Sequence, residues 1–208
     1  MPCWQKISFR PLDSELMATM GYDALTLGNH DFDYGYDYEK KVLEDSGLAD
    51  KVVVSNIKTA DSGEYPWAQS MIVNKEFTTT GGGTATIKIG ITGAVTPVLG
   101  SYTPWKDVLS TSDIVDAVEE QVDYLLDQEV DLIVVLAHSG FGTDEDPENK
   151  AQNVGYQLTL IDGVDVVCLG HTHKNSPYDN SYTTNTYSYS GVDPETGLVN
   201  GGDRKSVV

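Results

Sequence analysis

The chain has 208 residues, 39% of them hydrophobic, and carries 13 Lys+Arg against 32 Asp+Glu, which gives a formal net charge of −19. This length and apolar content predict one folded domain with a sizeable core, and they exclude disorder along the whole chain. The negative charge argues against nucleic-acid polymers and anionic membranes as partners, because both are bound mainly through clustered Lys and Arg. No apolar run reaches the roughly 18 residues that a membrane-spanning segment needs.

The first half of the chain predicts alternating short helices and strands, which indicates an α/β fold. A helix that stops at Gly47 is expected from its acidic start and its apolar spacing. In chain order, the expected elements are a helix end at 15–20, a short strand at 24–27, a polar turn at 28–31, a helix at 37–45, a buried strand at 52–55, and an antiparallel pair at 71–73 and 84–92 joined through loop 78–83.

The second half contains the clearest helix, which Ser112 or Asp113 caps and whose apolar positions recur at helical spacing. A fully apolar strand at 132–137 ends at His138, residues 152–160 favour a helix, and a second apolar strand at 164–169 precedes Gly170. From Asn175 onward the chain becomes polar. We expect no further core element there.

All four histidines of the chain follow an apolar run: His30, His138, His171 and His173. Residues that follow a strand in an open α/β sheet lie at its carboxyl edge, where such sheets collect ligands. We therefore expect the four imidazoles to converge at one edge of the sheet.

Three segments carry candidate chemistry, and each also has a purely structural explanation. Residues 28–33 place an amide, an imidazole and two carboxylates together, which is equally typical of a polar turn. His138 alone is more typical of a hydrogen-bonded structural residue. His171 and His173, two residues apart, suit one face of an exposed extended segment or a metal clamp. The conjunction of three such segments, which uses every histidine, favours a functional site.

Gly-Asn-His-Asp at 28–31, the strand-borne His138 and Gly-His-Thr-His at 170–173 resemble, in order and spacing, the later motifs of the calcineurin-like metallophosphoesterases. Within that family, residues 20–35 (MGYDALTLGNHDFDYG) resemble the signature of the nucleotidase branch almost residue for residue. The resemblance predicts a catalytic domain at 14–174, followed by a polar loop or tail at 175–208. The last residues of that tail match the translation of a sequencing adapter.

The resemblance implies an α/β/β/α sandwich with mixed sheets, incomplete in this chain, and a centre of two divalent ions at the strand ends. By position, Asn29, His138 and His171 would bind one ion and His173 the other. His30, oriented by Asp33, would stabilise charge on the attacked phosphoryl group or protonate the leaving oxygen. Asn and imidazole ligands suit zinc, manganese, iron or cobalt.

Two family motifs are missing before Gly28: the Asp-x-His of the first strand and the Gly-Asp of the second. In the family these motifs supply the remaining ligands and the bridging carboxylate, and Asn29 lies too near Met1 to leave room for them. The family's second, substrate-binding domain would follow Asn175 and is also missing. We therefore expect a fragment of a longer enzyme, with at most one well-bound metal and weak or no activity on its own.

The expected function is metal-dependent hydrolysis of nucleotide phosphate esters. Residues 91–97, 113–115 and 153–156 resemble most the 2',3'-cyclic-nucleotide phosphodiesterase/3'-nucleotidases, with 5'-nucleotidases close behind. The expected partner is a small-molecule nucleotide, and the resemblance implies a secreted, periplasmic or cell-surface location. The alternative from a different class is an inactive fragment or a non-catalytic α/β module that binds a single metal.

Overall fold

The structure, a computed structural model, describes residues 11–100, 105–142, 152–173 and 206–207. The helices are α1 (Pro11–Met20), α2 (Tyr36–Ser46), α3 (Ile114–Asp127) and α4 (Gly155–Leu160), and two 3₁₀ helices span Asn29–Tyr34 and Ala49–Lys51. The strands are β1 (Ile57–Thr59), β2 (Ser70–Thr78), β3 (Thr84–Val95), β4 (Leu109–Thr111), β5 (Leu132–His138), β6 (Val166–Leu169) and β7 (Ser206–Val207). No helix within these ranges has the length and apolar composition needed to cross a bilayer.

A mixed five-stranded sheet in the order β2-β3-β5-β6-β7 determines where the histidines lie. Strand β2 runs antiparallel to β3, and the remaining neighbours are parallel. Val95, the last residue of β3, pairs with His138, the last residue of β5. Because parallel strands end at the same edge of a sheet, His138 and the segment after β6 lie side by side.

Helix α3 covers one face of this sheet and forms the first core. Asp113 caps it by accepting hydrogen bonds from the backbone N–H groups of Val115 and Asp116. Val122 and Leu125 are fully buried against the sheet. A Cβ on Gly90 of β3 would lie 2.9 Å from a Leu125 methyl carbon, so the glycine lets the helix pack closely on the sheet.

A second core anchors the 3₁₀ helix at Asn29–Tyr34. Phe32 is fully buried there, and its ring packs edge-on against Trp67 with centroids 6.1 Å apart. Trp67 packs in the same way against Tyr36 at the start of α2. This aromatic cluster holds the backbone that carries Asn29 and His30.

The strands expected at 24–27 and 52–55 are reduced to isolated bridges, Leu25↔Val52 and Val53↔Ala68. The physical reason is that consecutive residues bond to different segments. The N–H of Val53 donates to Leu25 O, that of Val54 to Ala68 O and that of Ser55 to Gly93 O. The segment therefore passes between its neighbours without forming a continuous ladder with any of them.

The other expected elements occur at or near their predicted positions, including the hairpin of β2 and β3, helix α3 and the two apolar strands. Helix α4 begins at Gly155, three residues later than expected, because Ser139 Oγ accepts the N–H of Val154 before the helix starts. Ser206 and Val207, predicted as tail, pair in parallel with β6. The rest of the predicted tail, 175–205 and 208, lies outside the described residues.

Candidate metal centre

Asn29 and His138 form the middle of the site. Asn29 opens the 3₁₀ helix immediately after Gly28, and His138 closes β5. His138 Nε2 lies 2.9 Å from Asn29 Oδ1. Because a carbonyl oxygen can only accept, Nε2 is the protonated ring nitrogen in this arrangement.

Two glycines enclose the His138 ring. A Cβ on Gly28 would lie 2.9 Å from both Nδ1 and Cε1 of that ring, closer than real Cβ contacts come. A Cβ on Gly170 would lie 3.5 Å from Nδ1. Gly28 therefore gives His138 the space in which it reaches Asn29, whereas a Cβ at Gly170 would make an ordinary van der Waals contact with the ring.

His171 packs edge-on against His138, with ring centroids 5.2 Å apart. Its backbone has a φ of 69°, and the N–H of Thr172 donates to Gly170 O at 2.8 Å, which makes a γ-turn centred on His171. His173 also has a positive φ, 56°. Such conformations cost about 1–3 kcal/mol in non-glycine residues and cluster at functional sites. The strain points to a functional constraint on this motif.

His30 and His173 are more exposed members of the same cluster. His30 Nδ1 lies 3.0 Å from Asp33 Oδ2, and 58% of the His30 side chain is accessible to solvent. Both His30 and His173 are near enough to His138 to disfavour its protonation. The structure thus brings all four histidines to one edge of the sheet, as expected.

Burial favours the neutral form of the His138 and His171 imidazoles. Desolvation lowers the pKa of His138 to about 4, and the nearby His171 contributes further. Desolvation also lowers the pKa of His171, with smaller contributions from His173 and His30. Neutral imidazole is the form that binds a metal ion.

Asp31 supports the turn that presents Asn29. Its Oδ2 accepts the N–H of Gly28 at 2.5 Å. Burial raises the pKa of Asp31 to about 6, and the hydrogen bond from Gly28 opposes that shift. The carboxylate therefore fixes the backbone of the turn by accepting the hydrogen bond from Gly28.

The donor atoms fit a divalent ion. Two cis ligands of an octahedral ion with bonds of about 2.1 Å lie roughly 3.0 Å apart, and the observed separation of Asn29 Oδ1 and His138 Nε2 is 2.9 Å. In the part of the chain that the structure describes, no three His, Cys, Asp or Glu side chains form a ready-made metal cluster. A metal site here would therefore need the amide oxygen of Asn29 in addition to the imidazoles.

Sequence reasoning missed two residues that hold the site. Gln152 Oε1 lies 3.3 Å from His171 Nε2. Ser139, fully buried, donates its hydroxyl to the backbone oxygen of Gln152 at 2.9 Å. Ser139 follows a candidate ligand directly, but nothing in the local pattern near Gln152 predicts a contact with a residue 19 positions away.

Comparisons with known proteins agree with this geometry. The profile of the Calcineurin-like phosphoesterase family matches residues 4–175. The chain is 29% identical over 165 residues to the 2',3'-cyclic-nucleotide 2'-phosphodiesterase/3'-nucleotidase of Haemophilus influenzae, covering 78% of this chain and 25% of that protein. It is 29% identical over 219 residues to the 5'-nucleotidase of Diplobatis ommata, covering 93% of this chain and 30% of that protein.

A solved structure shows the same fold. The crystal structure of the calcineurin-like phosphoesterase YfkN from Bacillus subtilis superposes with a TM-score of 0.75 at 26% identity, covering 95% of this chain and 57% of that chain. The chain spans less than a third of the length of the two relatives above. From the profile match, the shared fold and the α/β architecture with mixed sheets, we conclude that the chain belongs to the calcineurin-like phosphoesterase family.

Proposed function

We propose that this domain hydrolyses phosphate esters of nucleotides as part of a longer enzyme, as a 2',3'-cyclic-nucleotide phosphodiesterase/3'-nucleotidase or a 5'-nucleotidase. The observation that carries the proposal is the cluster in which Asn29 Oδ1 and the His138 and His171 rings meet at the carboxyl edge of the sheet. The names of the relatives support the substrate class.

In this proposal Asn29, His138 and His171 hold one divalent ion and His173 contributes to a second. Zinc, manganese, iron and cobalt suit an amide oxygen combined with imidazoles. Bound ions would neutralise the charge of a phosphate ester and make a bound water more acidic. The four side chains are neutral ligands, so this chain would hold at most one ion well.

His30 is the proposed catalytic residue. Its Nδ1–H donates to Asp33 Oδ2, which fixes the ring and leaves Nε2 for the substrate. The exposure of the His30 side chain leaves it accessible to a nucleotide. In its protonated form, with hydrogens on both ring nitrogens, His30 would use Nε2–H to stabilise charge on the attacked phosphoryl group or to pass a proton to the leaving oxygen.

A second candidate function follows from the missing motifs. The chain contains no Asp-x-His, and no Gly-Asp pair precedes Gly28, so the carboxylates that complete the family site are not supplied by this sequence. On that ground, the chain alone would be an inactive fragment or a non-catalytic α/β module binding a single metal.

The test compares the 208-residue chain with a version extended by upstream strands that carry Asp-x-His and Gly-Asp. Both are loaded with manganese or zinc and assayed on 2',3'-cyclic AMP, 3'-AMP and 5'-AMP. We expect the extended protein to hydrolyse at least one of these esters. If the extended, metal-loaded protein hydrolyses none of them, the proposed function is wrong.

A further inference from the structure

The hydrogen bond between His171 and Gln152 determines which nitrogen of His171 carries a proton. Gln152 Oε1 lies 3.3 Å from His171 Nε2 and can only accept. Nε2 therefore bears the hydrogen, and Nδ1 is left with its lone pair free. Histidine ligands of metals commonly donate their second N–H to an acceptor in this way, which fixes both tautomer and ring orientation.

Gln152 is itself held in place by the strand that carries His138. Its backbone oxygen accepts the hydroxyl of Ser139 at 2.9 Å and the N–H of Gly140 at 3.2 Å. The same Ser139 hydroxyl accepts the N–H of Val154 at 3.0 Å. Gln152 and Val154 are thus both tied to Ser139 and Gly140, which directly follow β5.

The segment at 152–154 packs closely against Gly140 and Gly142, which follow β5. A Cβ on Gly140 would lie 2.0 Å from Asn153 Oδ1 and 2.5 Å from Thr172 Cγ2. A Cβ on Gly142 would lie 1.8 Å from Asn153 O. Asn153 therefore packs directly on Gly140 and Gly142 after β5, and Gly140 also packs on Thr172 in the turn that carries His171.

His138 differs from His171 in the partner of its Nε2 proton. Its protonated Nε2 points at Asn29 Oδ1, which is itself a proposed ligand, so that proton has to leave Nε2 when both atoms bind one ion. The acceptor of the His171 proton, Gln152 Oε1, lies outside the proposed ligand set, so this proton can stay on Nε2 when Nδ1 binds an ion.

We infer that Gln152 is a positioning residue that holds His171 with Nε2 protonated and Nδ1 presented to the metal. The inference rests on the proposed metal centre. Two measurements on the full 208-residue chain test it separately from that proposal.

The first measurement needs no metal. Nitrogen-15 NMR of the imidazole of His171 distinguishes its two neutral tautomers. We expect the Nε2–H form in the wild-type chain and a shift towards the Nδ1–H form in Gln152→Leu, which is similar in size but lacks an acceptor. The Nδ1–H form in the wild type, or the same tautomer in both proteins, would overturn the inference.

The second measurement is zinc affinity by calorimetry. Loss of such an acceptor typically weakens metal binding about 10–100-fold, and we expect this range for Gln152→Leu. Gln152→Glu keeps an acceptor for Nε2–H and should restore affinity to within about threefold of the wild type, or make it tighter. Gln128→Leu is the matched control, because Gln128 follows α3 at the opposite end of the sheet.

Each outcome has one meaning. Equal zinc affinity in the wild type and Gln152→Leu would contradict the inference while leaving the metal centre intact. The same would hold if Gln128→Leu and Gln152→Leu weakened binding equally. A wild-type chain that binds no zinc would contradict the proposed metal centre, and the tautomer measurement would then decide the role of Gln152. Circular dichroism of each variant shows whether it is folded.

Discussion

His138 Nε2 and Asn29 Oδ1 lie 2.9 Å apart although 109 residues separate them in the sequence. His138 closes a strand that packs in the core under α3, whereas Asn29 opens a 3₁₀ helix anchored in the aromatic core around Phe32. The contact therefore joins the two cores of the domain. The site is therefore built from residues that both cores position.

The first prediction separates proton transfer from metal binding in a complete enzyme that carries this segment. His30→Ala should lower turnover by about 10²–10⁴-fold, the usual contribution of a general acid. Its metal content should stay nearly unchanged, because His30 bonds to Asp33 and is not a proposed ligand. His171→Ala should lose metal and activity together. Equal metal loss in the two variants, measured by elemental analysis, would contradict this division of roles.

The second prediction concerns the space beside His138. Gly28→Ala places a Cβ 2.9 Å from ring atoms of His138, so the ring must shift from its position beside Asn29. We expect zinc affinity to fall about 10-fold or more and the free energy of unfolding to fall by about 1–3 kcal/mol. Gly81→Ala is the control, since a Cβ there meets nothing within 4 Å. Unchanged zinc affinity in Gly28→Ala would show that the ring position is unimportant.

The third prediction is a pH dependence of stability caused by Glu39. This side chain is 2% exposed, and its Oε2 has no hydrogen-bond partner among the described residues. Burial, with a smaller contribution from Asp31, raises its pKa from 4.5 to about 8. Between these values the folded chain keeps a proton that the unfolded chain releases. The stabilisation is therefore complete below the unfolded pKa and is lost as pH rises towards the folded value.

Glu39→Gln mimics the protonated acid and should remove this dependence. We expect it to match the wild type near pH 4.5 and to exceed its stability by on the order of a few kcal/mol near pH 8. Urea unfolding across that range measures the difference. Glu44→Gln, an exposed position on the same helix, serves as control and should show no such trend. A Glu39→Gln difference that stays constant with pH would refute the explanation.

Local patterns predicted most of the fold because they report local interactions. The helical spacing of apolar residues and the Asp113 cap specify α3, and the alternating segments around a Gly-rich loop specify the hairpin of β2 and β3. The segment at 52–55 does not form the expected strand, because its backbone N–H groups donate to three different segments. Such partners depend on tertiary packing, which a local pattern does not record.

The sequence pattern also indicated where the histidines lie, whereas their roles as ligands stay predictions. The position of each histidine after an apolar run correctly indicated that the four would converge, because parallel strands end at one edge. The supporting contacts were not predictable. Gln152 contacts His171 because hydrogen bonds from Ser139 and Gly140 hold its backbone next to the end of β5. The γ-turn at His171 has a positive φ, but no glycine in the sequence signals it.

The fourth prediction concerns catalysis by the chain as it stands. As ligands, Asn29 and the three proposed histidines would bring no negative charge, and the 208 residues contain no Asp-x-His motif and no Gly-Asp pair before Gly28. A second ion should bind weakly, so turnover on 2',3'-cyclic AMP, 3'-AMP and 5'-AMP should stay well below about one per second. Two tightly bound ions per chain with turnover at or above that rate would show this reasoning to be wrong.

The most direct test of the central claim is the zinc content of the wild-type chain and His138→Ala after dialysis against zinc and removal of the excess. His138 is the side chain that contacts both Asn29 and His171, so its loss should dismantle the ligand set. We predict about one zinc ion per wild-type chain and roughly a tenth of that or less in His138→Ala. Equal zinc content in the two proteins, with both folded, would contradict a metal centre at this edge of the sheet.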